Sequence, residues 1–251
     1  MEGTFVTAIL LTTIAGLSTT LGSLVAILYT NPSHRFMAFT LGFSAGVMVF
    51  VSFVELLKTG IESTGFEIAV VSFFCGMALM FLVDYLLPHT YILEPVQGGN
   101  RARLKRLSLL IALGVGIHNL PEGMVTFVGT LKDADLGVAL MFAIAVHNIP
   151  EGMAVAVPVY AATGSRFRAF GWSFLSGVSE PIGALMAGLF LYKFMSDTLL
   201  GIMLSLVAGF MVFISLDELL PSSYSYRCEH VAIAGVMAGM AVMAFSLYFF
   251  L

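Results

Sequence analysis

The sequence predicts an all-α integral membrane protein with eight transmembrane helices arranged as inverted repeats. The chain has 251 residues, of which 59% are hydrophobic and only 10% are charged. Its mean hydropathy is +0.99, whereas soluble domains carry about 25% charged residues. Long apolar runs and two internal repeats, described below, give the same fold class, with the membrane as the solvent of the chain.

Polar clusters divide the chain into eight apolar runs, each long enough for the roughly 20 helical residues that cross a bilayer. The predicted spans are 4–29, 36–57, 66–87, 107–130, 135–161, 168–193, 197–220 and 231–251. The beginning of the chain lacks a basic stretch and a small-residue cleavage site, so we expect the first span to be retained. All eight spans are predicted to form one polytopic domain, 1–251.

The basic residues are distributed unevenly between the two sides of this arrangement. Eight of the eleven Lys and Arg residues follow odd-numbered spans, and only three lie on the other side. We therefore expect a multi-pass protein of the cell (inner) membrane. The positive-inside rule predicts that its odd-numbered loops are cytoplasmic and that both termini lie on the extracytoplasmic side. A net charge of −4 with so few basic residues excludes a nucleic-acid-binding surface.

One polar phrase occurs twice within predicted spans, as His-Asn-Leu-Pro-Glu-Gly at 118–123 and His-Asn-Ile-Pro-Glu-Gly at 147–152. A charged residue at the bilayer centre costs about 2.5–3.5 kcal/mol, so it needs a partner or a function. Histidine and glutamate four residues apart share a helix face, and imidazole, carboxylate and amide groups are ligands of divalent metal ions. The candidate ligands are His118, Asn119, Glu122, His147, Asn148 and Glu151.

A second repeat relates the segments 45–57 and 208–220, which are identical at nine of thirteen positions. The two predicted spans that contain them cross the membrane in opposite directions, as do spans four and five. Inverted repeats of this kind are typical of alternating-access carriers with a site at the membrane midplane. Glu55 and Glu218 are repeat partners, and with Asp217 they could collect and release metal. Alternatively, they could simply reach interfacial water.

The paired phrases, the eight spans and the outward termini resemble the ZIP (Zrt/Irt-like) family of divalent-metal transporters, and most nearly its bacterial ZupT-type members. The resemblance implies transport of zinc, and in addition of iron, manganese, cobalt or cadmium, into the cytoplasm. It also implies a two-metal centre between spans four, five and six, with metal ions as cargo and no cofactor. In that correspondence, His118, Glu122, His147 and Glu151 match the first site; Asn119 and Asn148 match the second, with Glu122 and Glu151 as bridges and Glu180 completing it.

Two other functions are compatible with buried ligands. An intramembrane zinc-dependent hydrolase would need an open coordination position and a general base, as in HExxH, and neither phrase has that arrangement. A non-transporting membrane scaffold would leave the cost of the buried polar groups unexplained. The motifs GxxxG at 42–46 and 235–239 predict close helix packing or support for a homodimer.

Overall fold

The computed structural model describes residues 2–28, 33–86, 101–191, 194 and 196–250. The side chains of 101–115 lie outside the described part. Of the site residues predicted above, only His118 has a side chain that lies outside it as well.

Eight long helices make up the described ranges of the chain. They are α1 (Glu2–Leu28), α2 (His34–Thr64), α3 (Phe66–Leu86), α4 (Arg101–Lys132), α5 (Ala134–Thr163), α6 (Arg166–Met186, continued by the π-helical turn Ala187–Leu191), α7 (Asp197–Ser225) and α8 (Glu229–Phe250). Seven of the eight are long and apolar enough to cross a membrane by their described residues, whereas in α4 the side chains of 101–115 lie outside the described part. The all-helical, multi-pass prediction is therefore confirmed, whereas the count of eight spans stays a prediction because span 107–130 lies in α4.

Two of the helices continue further than the apolar runs predicted. The second span was predicted to end at 57, but α2 runs to Thr64 and stops at Gly65, whose φ of 84° interrupts the helix. The seventh span was predicted to end at 220, and α7 continues through a polar turn to Ser225. Polar residues such as Lys58 keep their helical hydrogen bonds in water, so the helices extend beyond their apolar segments.

The helices pack as two groups. The first group consists of α1, α4, α5 and α6, and the second of α2, α3, α7 and α8. Contacts between the groups are made mainly by α2 with α5, α4 with α7, and α5 with α8. Both members of the repeated phrase thus belong to the first group, and both members of the second repeat belong to the second.

Both GxxxG motifs serve packing within the chain. Gly42 of α2 lies on the main chain of Ala232, and Gly239 of α8 lies on that of Phe43. The other glycine of each motif, Gly46 and Gly235, makes the same kind of contact, which a side chain would prevent. The motifs therefore join α2 to α8, and a homodimer stays a prediction.

The helices that carry the second repeat run antiparallel. The last part of α2 packs on the first part of α7, where Gly60 faces Gly201 and Ser205. The first part of α2 packs on the end of α7. Each helix contains a π-helical turn at the same place in the repeat, Ser52–Leu57 in α2 and Ser215–Leu219 in α7.

Candidate metal centre

A tight helical hairpin brings the two phrases together. Asp133 separates α4 from α5, and its side chain caps α5 by accepting hydrogen bonds from the N–H groups of Asp135 and Leu136. Gly137 lies against Thr130 just beyond this turn. Because the two helices are then antiparallel neighbours, His147 of the second phrase lies opposite Glu122 of the first.

Three buried side chains form the centre of the site. Ligand atoms of Glu122, His147 and Glu151 all lie within 4.8 Å of one another, and each residue is at most 1% exposed. His147 Nε2 lies 3.4 Å from Glu122 Oε1. Two ligands about 2.1 Å from a tetrahedral zinc ion are themselves about 3.4 Å apart, so this pair already has the separation that one ion requires.

The two asparagine amides are held with their nitrogen atoms turned toward protein acceptors. Asn148 Nδ2 donates to the main-chain oxygen of Ala15 at 3.0 Å, and Asn119 Nδ2 donates to that of Ser176 at 3.4 Å. Both Oδ1 atoms are buried and have no hydrogen-bond partner. A buried acceptor without a partner costs about 1–3 kcal/mol, which a bound cation would offset.

Glu180 of α6 joins the phrase of α5 from the side. It is fully buried, and its Oε1 accepts a hydrogen bond from Asn148 Nδ2. Its other oxygen, Oε2, is buried without a hydrogen-bond partner. The carboxylate is therefore held beside Asn148 with one oxygen available to a cation.

The glycine that ends each phrase allows the helices around the centre to touch. A Cβ at Gly123 would collide with the main chain of Glu180, and one at Gly152 would collide with that of Thr19. Gly123 therefore fixes α4 against α6, and Gly152 fixes α5 against α1. These contacts set the distances of α4 and α5, which carry the candidate ligands, from α6 and α1, because main-chain atoms cannot move aside as a side chain can.

The remaining predicted residues lie elsewhere. Glu55 and Glu218 are buried in the π-helical turns of α2 and α7, whereas Asp217 is exposed. Because Gly60 faces Gly201 and Ser205, Glu55 lies level with about residue 208, roughly 15 Å along α7 from Glu218 at 1.5 Å per residue. The two carboxylates are thus separate sites.

Each π-helical turn begins at a serine whose hydroxyl bonds back to the preceding α-helical turn. The hydroxyl of Ser52 donates to the carbonyl of Met48, and that of Ser215 donates to the carbonyl of Met211, both at 2.7 Å. Glu55 has a further partner, since the hydroxyl of Thr59 donates to its Oε1 at 3.1 Å. π-Helical turns are frequent at functional sites because they re-aim one side chain.

Sequence reasoning missed the groups that orient the candidate ligands. The carbonyls of Ala15 and Ser176 carry no signal, because a main-chain acceptor has no residue-type signature. The π-helical turns have a weak sequence signal, the pattern Ser-x-x-Glu that begins at Ser52 and occurs again at Ser215. Thr59 follows Glu55 by one helical turn and could have been found from that spacing.

Comparison with known proteins gives a consistent picture. The sequence model of the ZIP zinc transporter family matches residues 94–247. A protein named zinc transporter ZupT from Streptococcus mutans is 43% identical, with 98% of each chain covered. Those of the same name from Clostridium perfringens and Chlorobium luteolum are 44% and 45% identical, with 97% of this chain and 96% and 97% of theirs covered. The chain belongs to the ZIP family of zinc transporters.

Proposed function

We propose that this protein transports zinc across the membrane through the centre formed by Glu122, His147 and Glu151. The observation that carries the proposal is the convergence of these three buried groups within 4.8 Å inside an apolar helix group. Its nearly full-length relatives are named zinc transporters. Such groups stay buried in an apolar protein only when they are compensated, and a divalent cation compensates them.

We further infer that two ions bind side by side. Glu122 and Glu151 would bridge them, with His118 and His147 completing one site. The oxygens of Asn119 and Asn148, together with Glu180, would complete the other. Support comes from the two amide oxygens and the Glu180 oxygen that are buried without hydrogen-bond partners. Iron, manganese, cobalt and cadmium accept the same ligand types and are proposed as further cargo.

The route is proposed to run from Glu55 to the centre and on to Glu218, with Asp217 at the exposed end. Antiparallel α2 and α7 support alternating access by inverted repeats, in which the two sides open in turn. If both termini lie on the extracytoplasmic side of a bacterial inner membrane, this route carries metal into the cytoplasm. A cysteine introduced at Asp133 in a chain lacking Cys75 and Cys228 should react with impermeant reagents from outside only. Labelling from the cytoplasmic side would reverse the proposed direction.

Zinc uptake by proteoliposomes tests the function. Liposomes that enclose a zinc-sensitive dye should fill with zinc when they contain the wild-type protein. The variants Glu122→Gln and Glu151→Gln keep the shape of the side chain but remove its charge, and should give the background rate. Glu67→Gln, at an exposed glutamate on α3, is the matched control and should transport normally. Equal uptake by all four proteins would exclude the proposed centre.

The alternative of a zinc-dependent hydrolase has no support in the comparisons, because the matched family consists of transporters. Its distinguishing chemistry, a general base beside an open metal position, also has no counterpart in the phrases. Wild-type proteoliposomes without zinc uptake would reopen that alternative.

A further inference from the structure

One hydrogen bond connects the second helix group directly to the metal centre. Ser44 of α2 is fully buried, and its hydroxyl donates to the main-chain oxygen of His147 at 3.3 Å. Serines in helices usually bond within their own helix, as Ser52 and Ser72 do with the carbonyls four residues earlier. Ser44 instead reaches across to the ligand-bearing helix of the other group.

The bond lies one residue from a break in the helical hydrogen bonding of α5. Pro150 has no N–H group, so the carbonyl of Val146 loses its helical partner one residue before His147. Asn148 of the same turn is held by the carbonyl of Ala15 in α1. The turn that carries His147 and Asn148 is thus held by two helices. Its Asn148 side chain bonds to α1, and its His147 main-chain oxygen bonds to Ser44 of α2.

The repeat relationship sets this bond apart. Alignment of 45–57 with 208–220 places Val207 of α7 at the position equivalent to Ser44. Valine cannot donate a hydrogen bond, and Val207 is buried like its counterpart. The hydrogen bond from Ser44 to His147 therefore belongs to one half of the inverted repeat, and the equivalent position in the other half has no hydroxyl to form it.

We propose that Ser44 is a positioning residue that holds His147 and its neighbours in the metal-binding arrangement and ties that arrangement to α2. The inference rests on the proposed zinc site and adds a determinant of its affinity outside the ligand set. The bond stabilises the arrangement in which Glu122, His147 and Glu151 converge. Without it, the binding-competent arrangement is less populated, and the apparent zinc affinity falls by the same factor.

Zinc binding to purified full-length protein in detergent tests the proposal. Ser44→Ala should raise the zinc Kd about two- to tenfold, the range expected for one net hydrogen bond. Ser44→Thr and Ser44→Val have the same shape and differ only in the hydroxyl, so threonine should bind zinc more tightly than valine. Ser72→Ala removes a hydroxyl that bonds only within α3, and should leave the Kd unchanged.

A second measurement needs no metal. Amide hydrogen exchange of residues 147–152 should become faster in metal-free Ser44→Ala and stay unchanged in Ser72→Ala, since only the first loses a bond to that turn. An unchanged Kd and unchanged exchange in Ser44→Ala, or equal zinc affinity of the threonine and valine variants, would overturn the proposal. If the wild-type protein bound no zinc, the proposed function would fail, while the exchange comparison would still decide the role of Ser44.

Discussion

The duplicated phrase on α4 and α5 and the duplicated segment on α2 and α7 differ in where their copies meet. In the hairpin, Thr130 lies against Gly137, so Glu122 lies opposite about residue 145, and His147 is within reach at 3.4 Å. In the other pair, the two glutamates are offset by roughly 15 Å along α7. Antiparallel copies therefore build one shared centre when they lie level, and two separate sites when they are offset.

The surroundings of the carboxylates differ in the same way. Glu122 and Glu151 lie in the interior among other ligand types and are 1% exposed. Glu55 and Glu218 are 6% and 8% exposed, and Glu55 accepts a hydrogen bond from Thr59. Groups of the first kind should be indispensable to metal binding, whereas groups of the second kind should adjust the rate at which ions reach or leave it.

The largest loss of zinc uptake is expected from a substitution that removes a side chain of the shared centre. His147→Ala removes an imidazole that lies 3.4 Å from Glu122 and within 4.8 Å of Glu151. We expect zinc uptake by proteoliposomes to fall to the background of protein-free liposomes. His230→Ala, which removes an exposed histidine at the start of α8, should leave uptake unchanged. Substantial uptake by His147→Ala would mean that the two phrases do not share one site.

The next effect tests the helix contacts that keep the copies level. Gly123→Ala would push a methyl group into the main chain of Glu180. We expect a loss of about 1–3 kcal/mol in stability, or more, from overpacking, seen as a lower melting temperature in detergent. Gly116→Ala changes a glycine of the same helix, where an added Cβ would lie 4.0 Å from its nearest contact, Ser179 Oγ, and should be tolerated. Equal melting temperatures would show that α4 can shift freely against α6.

A smaller effect separates the two proposed ions. Asn148→Ala removes one amide oxygen and the hydrogen bonds to Glu180 and to the carbonyl of Ala15, but keeps the side chains of Glu122, His147 and Glu151. Titration calorimetry should show a change from two zinc ions per chain to one, with partial transport retained. If Asn148→Ala were as inactive as His147→Ala, a single shared site would be the better description.

The smallest effect concerns the offset pair. Thr59→Val keeps the shape of the side chain and removes the hydroxyl that donates to Glu55. Because a hydrogen bond to a charged group contributes about 1.5–3 kcal/mol when fully expressed and less near water, we expect a two- to fivefold higher KM for zinc. Thr40→Val removes a hydroxyl that bonds only within α2, and should not change the KM. Equal KM values would leave Glu55 without a role in collecting metal.

Much of the architecture could be predicted because helix length and apolar composition are local properties. Each predicted span overlaps one observed helix, but α2 continues to Thr64, α7 continues to Ser225, and α4 begins at Arg101, six residues before its predicted start. The spacing of histidine and glutamate placed them on one face of each helix, since 3.6 residues make a turn. Zinc-transporter family membership also followed from the sequence, through a resemblance carried by the two phrases together with the eight predicted spans and the outward termini.

The sequence by itself determined which helices form and which residue types lie buried in them, because the solvent of each segment depends on its composition. Only the tertiary structure decided that Glu122 meets His147 while Glu55 and Glu218 stay apart, because that depends on how far two helices slide along each other. It also decided the orientation of Asn119 and Asn148, which is set by the carbonyls of neighbouring helices. A main-chain acceptor is present in every residue, so only packing determines which one lies within reach.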